Sequence, residues 1–197
     1  MSINPNETST KSKTQMVRDF TASKIYSILK NGDPGAQKAA LAKLRSGVGR
    51  NPAECPEVWG YYLEQMPEEL IGKGSNIAAG EMAVYTALTL FALHQRGIDP
   101  VSHPMHVSGS NDPGSAIARL IEKESDKTRF TRQFNHLIGF DNMEDAAHHI
   151  QHMIGMLARE RIPMDYAALA GKFFAMQYPS EIDKIRMEWG KSFYRNL

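Results

Sequence analysis

Apolar residues recur at helical spacing along almost the whole chain, and nowhere does alternation of β-branched residues last five positions. A chain patterned this way buries stripes on helices, not faces on strands. The start and stop signals agree. Asp33-Pro34 and Asp112-Pro113 each pair a capping carboxylate with a proline suited to the first helical position. Asn142 and Asp165 stand just before further apolar-periodic runs, while Asn31-Gly32 and Gly97 follow the ends of others. Helices are expected over residues 11–30, from 34 to the mid-40s, 57–63, 76–96, from 113, 128–138, 143–160, 166–177 and 181–194, with one further turn at 67–71. The fold class is all-α, about eight or nine helices in two packed bundles with no sheet.

The longest apolar run, residues 78–93, sets the limits on location. Gly80, Glu81 and two threonines interrupt it, so it falls short of the ~20 apolar residues of a membrane span. Residues 1–31 are polar and basic with no apolar signal core. The single cysteine, Cys55, allows no internal disulfide and suits a reducing cytosol. A cytoplasmic chain is expected. Residues 1–10 read as a disordered tail, 11–111 as an N-terminal bundle and 112–197 as a C-terminal one, with the break in the proline-bearing loop 98–111.

Net charge is only +1, but the charges are unevenly spread. Residues 1–50 carry a balance of +6 and residues 51–100 one of −5. A basic quarter beside an acidic one fits an anionic partner in one place and a protein partner in another. A solvated helical surface would also show such asymmetry.

Catalytic patterns are weak. Glu144, His148 and His152 are spaced four apart and share a helix face, with His149, His103 and His106 as further donors. Zinc needs three or four ligands in tetrahedral array, and neither an HExxH order nor a cysteine pair is present. Cys55 lies between Glu54 and Pro56 with no adjacent base. The carboxylates Glu54, Glu57 and Glu64 read as solvent-facing charges. No catalytic set, metal or cofactor is expected.

Cations at helix ends offer more. Lys43, Arg45 and Arg50 flank the loop Gly47-Val48-Gly49. Arg129 and Arg132 share a helix face, Arg159 and Arg161 precede Pro163, and Lys191 and Arg195 stand four apart. Guanidinium groups grip phosphate oxygens in pairs, whereas for any one such pair solvation at a helix end is the plainer reading. No zinc finger, aromatic RNA-binding motif or helix-turn-helix signature accompanies them. Binding driven by phosphates and tolerant of sequence is expected.

The stretch AALAKLRSGVGRNPAECPEVW at residues 39–59 resembles the CasB-type small subunits of the type I-E CRISPR complex Cascade, with their Leu-Arg-x-Gly-x-Gly loop followed by a Trp-bearing helix. ALTLFALHQ at 87–95, Phe134-Asn135-His136-Leu137-Ile138, AAHHIQHMIGML at 146–157, IPMDYAALA at 162–170 and RMEWGKSFYRNL at 186–197 extend the resemblance in order from about residue 17 onward. It implies a two-bundle, non-enzymatic scaffold that dimerises within Cascade, meets its other subunits, and lies against guide RNA and the target and displaced DNA strands, stabilising the R-loop. It also implies that Arg45 and Arg50 occupy the basic loop, and that Arg119 and Arg132 sit on basic helices. Arg159, Arg186, Lys191 and Arg195 complete the pattern near the C-terminus. Ser46 and Gln133 stand where relatives often have a second basic residue, and Ser192 where they often have an acid. Trp59, Trp189, Phe193 and Tyr194 fit as core or subunit interface.

Overall fold

The computed structural model describes residues 5–197, with side chains from residue 13 onward. Residues 1–4 of the expected tail lie outside the described residues, and the backbone from Pro5 onward is helical where a disordered tail was expected through residue 10. Nine α-helices and no strand occur among the described residues. They are α1 (Pro5–Leu29), α2 (Pro34–Ser46), α3 (Pro56–Tyr62), α4 (Ala79–His94), α5 (Pro113–Ala118), α6 (Glu124–Leu137), α7 (Met143–Arg159), α8 (Tyr166–Ala175) and α9 (Pro179–Arg195). Short 3₁₀ turns at Pro52–Glu54 and Glu68–Leu70 flank α3.

The expected caps form. Oδ1 of Asp33, Asp112, Asn142 and Asp165 accepts from the N–H of Gly35 at 2.8 Å, Ser115 at 2.8 Å, Asp145 at 2.8 Å and Ala168 at 2.9 Å. Each satisfies a donor that the first helical turn leaves without a partner. Helix α6 starts four residues before the expected position 128, because Lys123 sits at its N-cap with no side-chain hydrogen bond to advertise it.

Helix α4 is the hub. Ala83, Val84, Tyr85, Ala87, Leu88, Leu90, Phe91 and Ala92 are all buried, so it is apolar on every side, as a core helix should be. It packs against α1, α2, α3, α7 and α8. At 16 residues it is too short to span a bilayer, and no described helix is long and apolar enough to do so. Helix α8 seats against α1 and α4 although it follows the loop 98–111 in sequence. A Cβ on Gly171 would lie 2.6 Å from Arg18 Cγ, so the α1–α8 seam requires a residue without a side chain there.

Helices α5, α6, α7 and α9 make the second group. Phe134 of α6 and Phe193 of α9 stack with centroids 4.1 Å apart and planes 2° from parallel. Each is fully buried, and burying a phenyl group of this kind contributes roughly 1.5–3 kcal/mol. Gly114 lets α5 approach α9 so closely that a Cβ would come 2.2 Å from the Trp189 carbonyl oxygen.

The loop between the groups is stitched down. The Gln95 amide donates to the carbonyls of Ile98 and His103 and accepts from Met105 N–H at 2.8 Å. An isolated parallel bridge joins His106 to Met164, and Asp165 Oδ2 accepts from Gly109 N–H at 2.7 Å. Buried side chains from α1 through α9 consequently form one continuous core.

Candidate nucleic-acid interface

The loop after α2 is held from beneath. Tyr85 Oη donates to the Gly47 carbonyl at 2.7 Å. A Cβ at position 47 would sit 2.5 Å from that oxygen, so Gly47 is there for space. Gly49 is there for conformation, since its φ of 70° is left-handed. Arg50 then bridges the turn. Its guanidinium donates to the carbonyls of Glu54 at 2.9 Å and Ser46 at 3.4 Å and lies 3.6 Å from Glu57. The Glu57 carboxyl is held below its usual range, first by its own backbone N–H, then by the Ser46 hydroxyl and the charge of Arg50.

Arg45 differs. It is half-buried and has no hydrogen bond or acidic partner among the described residues. Burial, and then the charge of Arg96, lower its pKa. Arg96 follows α4 and is exposed. Lys43 is exposed one turn from Gly47, within electrostatic reach of Glu57. The fold thus brings Arg96 within electrostatic reach of Arg45 at the basic loop. Only its place at a helix end, between Gln95 and Gly97, could have marked it in the sequence.

The other expected cations fall into separate groups. Arg119 donates to Asn111 Oδ1 at 3.3 Å, and Asn111 donates to the Pro163 carbonyl at 2.9 Å. That chain of contacts sets Arg119 beside the α7–α8 turn, which bears Arg159 and the exposed Arg161. Arg159 is paired with Glu160 at 2.7 Å. On α6, Arg129 pairs with Asp126 at 3.4 Å and covers the Phe130 ring, while Arg132 is exposed and has no partner among the described residues. Lys191 and Arg195 on α9 are likewise exposed and unpaired there.

Arg186 has a local task. Its guanidinium donates to the carbonyls of Ile138 at 2.8 Å, Phe140 at 3.3 Å and Gly139 at 3.4 Å, closing the C-terminal end of α6, and it pairs with Asp183. Trp189 and Phe193 are core, whereas Trp59 and Tyr194 are exposed; the Trp59 indole donates to the Pro52 carbonyl at 2.8 Å.

The histidines do not converge. His148 and His152 meet at Nε2 atoms 3.0 Å apart, but His149 turns to the Gln133 carbonyl at 2.9 Å. His106 Nδ1 accepts from the Tyr166 N–H. Among the described residues no group of three His, Cys, Asp or Glu is placed to hold a metal ion. Cys55 is fully buried.

Fold and charge together define an all-helical protein with cations gathered at helix ends and in one rigid glycine loop. A family model described as CRISPR-associated protein Cse2 matches residues 40–194. The crystal structure of CasB from Thermobifida fusca is similar over 93% of this chain and 96% of that chain, with a TM-score of 0.65 and 25% sequence identity. No curated protein matches the sequence. The chain belongs to the CRISPR-associated protein Cse2 family, the CasB-type subunits of type I-E Cascade. It is a Cascade subunit, with other Cascade subunits as its partners.

Proposed function

We propose that the chain is a non-catalytic, cytoplasmic scaffold that dimerises within Cascade, binds the phosphate backbones of guide RNA and of target and displaced DNA without sequence preference, and stabilises the R-loop. The observation that carries this reading is the half-buried Arg45, which has no acidic partner among the described residues and lies within electrostatic reach of Arg96. Such a pair repels in the free protein and is relieved by a polyanion. Exchange of a DNA duplex for an RNA–DNA hybrid is nearly balanced, so a few backbone contacts can tip it. Arg119, Arg132, Lys191 and Arg195 are further exposed cations suited to phosphates; Lys43, Arg50, Arg129 and Arg159 keep an acidic neighbour but stay exposed, and Arg186 contributes by holding α6.

The test is binding of single-stranded DNA, RNA and duplex to the purified chain and to Cascade assembled with it, across a salt series. Affinity should fall steeply with salt and vary little with sequence. Replacing Arg45, Arg119 and Arg132 by Glu should lower it in both settings. Unchanged R-loop formation by Cascade containing the triple variant would show that the subunit acts through protein contacts alone.

A further inference from the structure

A cleft of about 390 Å³ opens where the glycine loop, the middle of α4 and the first half of α7 meet. We infer that it receives a single nucleobase turned out of the strand that the basic loop engages, an inference that rests on the phosphate-binding reading above.

The size suits one ring with its sugar, since ligand clefts begin at roughly 300 Å³. Its walls are chosen for a flat, polarizable group. Met82 of α4 and Met143 of α7 both line it, together with Leu90, and thioethers make favourable contacts with aromatic rings. Two of its polar groups are unspent. Glu144 and Gln151 lie two turns apart on one face of α7. Both line the cleft, and neither makes a side-chain hydrogen bond among the described residues. Gly49 lines the loop side, close to Gln151: a Cβ there would meet Gln151 Oε1 at the ordinary contact distance of 3.5 Å.

The arrangement of charge decides between base and phosphate. Arg50 stands on the loop side, while Glu144 and Asp145 stand on the α7 side. A phosphate entering between them would meet carboxylates. A base edge, which offers N–H donors and ring acceptors together, matches an acceptor-only Glu144 beside a Gln151 amide that can both give and accept. Exocyclic amines of cytosine and adenine are the partners such groups take. The phosphate stays outside, on the side of Arg50.

The experiment compares the purified full chain with two single-stranded DNAs of about a dozen nucleotides, one bearing bases and one abasic, across the same salt series. The abasic strand should bind about tenfold more weakly at equal salt. Gln151→Met, which keeps the shape and removes the amide, should narrow that gap and leave the salt slope unchanged; Glu144→Gln serves as the second variant, and circular dichroism checks that each is folded. Equal affinity for the two strands overturns the cleft while the phosphate reading stands. A gap that neither variant narrows also overturns it, since the base is then read elsewhere. If neither strand binds at low salt, the phosphate reading fails and the cleft fails with it.

Discussion

The Tyr85 hydroxyl donates to the Gly47 carbonyl across 38 positions of sequence, tying the core helix α4 to the loop that carries Arg45 and Arg50. Burial pushes the Tyr85 phenol upward from its ordinary pKa, so it stays a donor. Tyr85→Phe removes one bond, but the Arg50 N–H still reaches the same carbonyl at 3.1 Å. The expected loss is about 1 kcal/mol of stability, read as a lower urea midpoint. Gly47→Ala should cost more, about 1–3 kcal/mol, because its methyl group displaces the tyrosine ring.

Arg186 should behave as a structural residue. It closes α6 by bonding three carbonyls, with its side chain about one-third exposed. Arg186→Met should lower stability by about 1–3 kcal/mol, whereas Lys191→Met and Arg195→Met should move it by no more than about 0.5 kcal/mol. Urea unfolding of the three variants checks this, and equal effects would remove the capping role.

Arg45 and Arg96 should trade stability against binding. Arg96→Gln relieves repulsion, so the melting temperature should hold or rise. Affinity for single-stranded DNA should fall, with the salt slope reduced by about one if a phosphate contact is lost. A variant that melts lower and binds as before would contradict the pairing.

Acid should weaken the fold through His94. The imidazole is fully buried and Nδ1 lies 2.8 Å from the Tyr166 hydroxyl. Nε2 makes no hydrogen bond of normal geometry, with only the Leu157 carbonyl nearby to favour a proton. Burial therefore lowers its pKa from 6.5 to about 4. Between those values the unfolded chain takes up a proton that the folded chain refuses. Stability is greatest above pH 6.5, declines as pH falls, and levels off for this group below about 4, a loss of about 3 kcal/mol in all. Burial shifts His106 and His149 in the same direction. Urea midpoints measured from pH 7 to pH 4 should drop in the native chain and drop less in His94→Gln.

Local rules decided a good part of this protein. The caps at Asp33, Asp112, Asn142 and Asp165 were legible because an oxygen and the N–H it satisfies lie two or three residues apart. The periodic burial of Phe130, Phe134 and Leu137 on α6 was legible because helical spacing alone puts them on one face. The start of α6 was not, because Lys123 offers no capping oxygen.

The resemblance of the glycine loop and the later motifs also named the family correctly. Spacing put Glu144, His148 and His152 on one face of α7, and His148 and His152 do meet, whereas His149, one residue on, turns to the Gln133 carbonyl because adjacent helical residues point in different directions.

Tertiary structure decided the rest. That α8 packs on α1, that Arg96 comes within electrostatic reach of Arg45, and that Arg186 bonds the far end of α6 are relations between residues 46 to more than 140 positions apart. Helical period says which way a side chain faces, but not which element it meets. Meetings of that kind depend on the close packing of the whole core, where Gly114 and Gly171 are required by neighbours that lie distant in the chain.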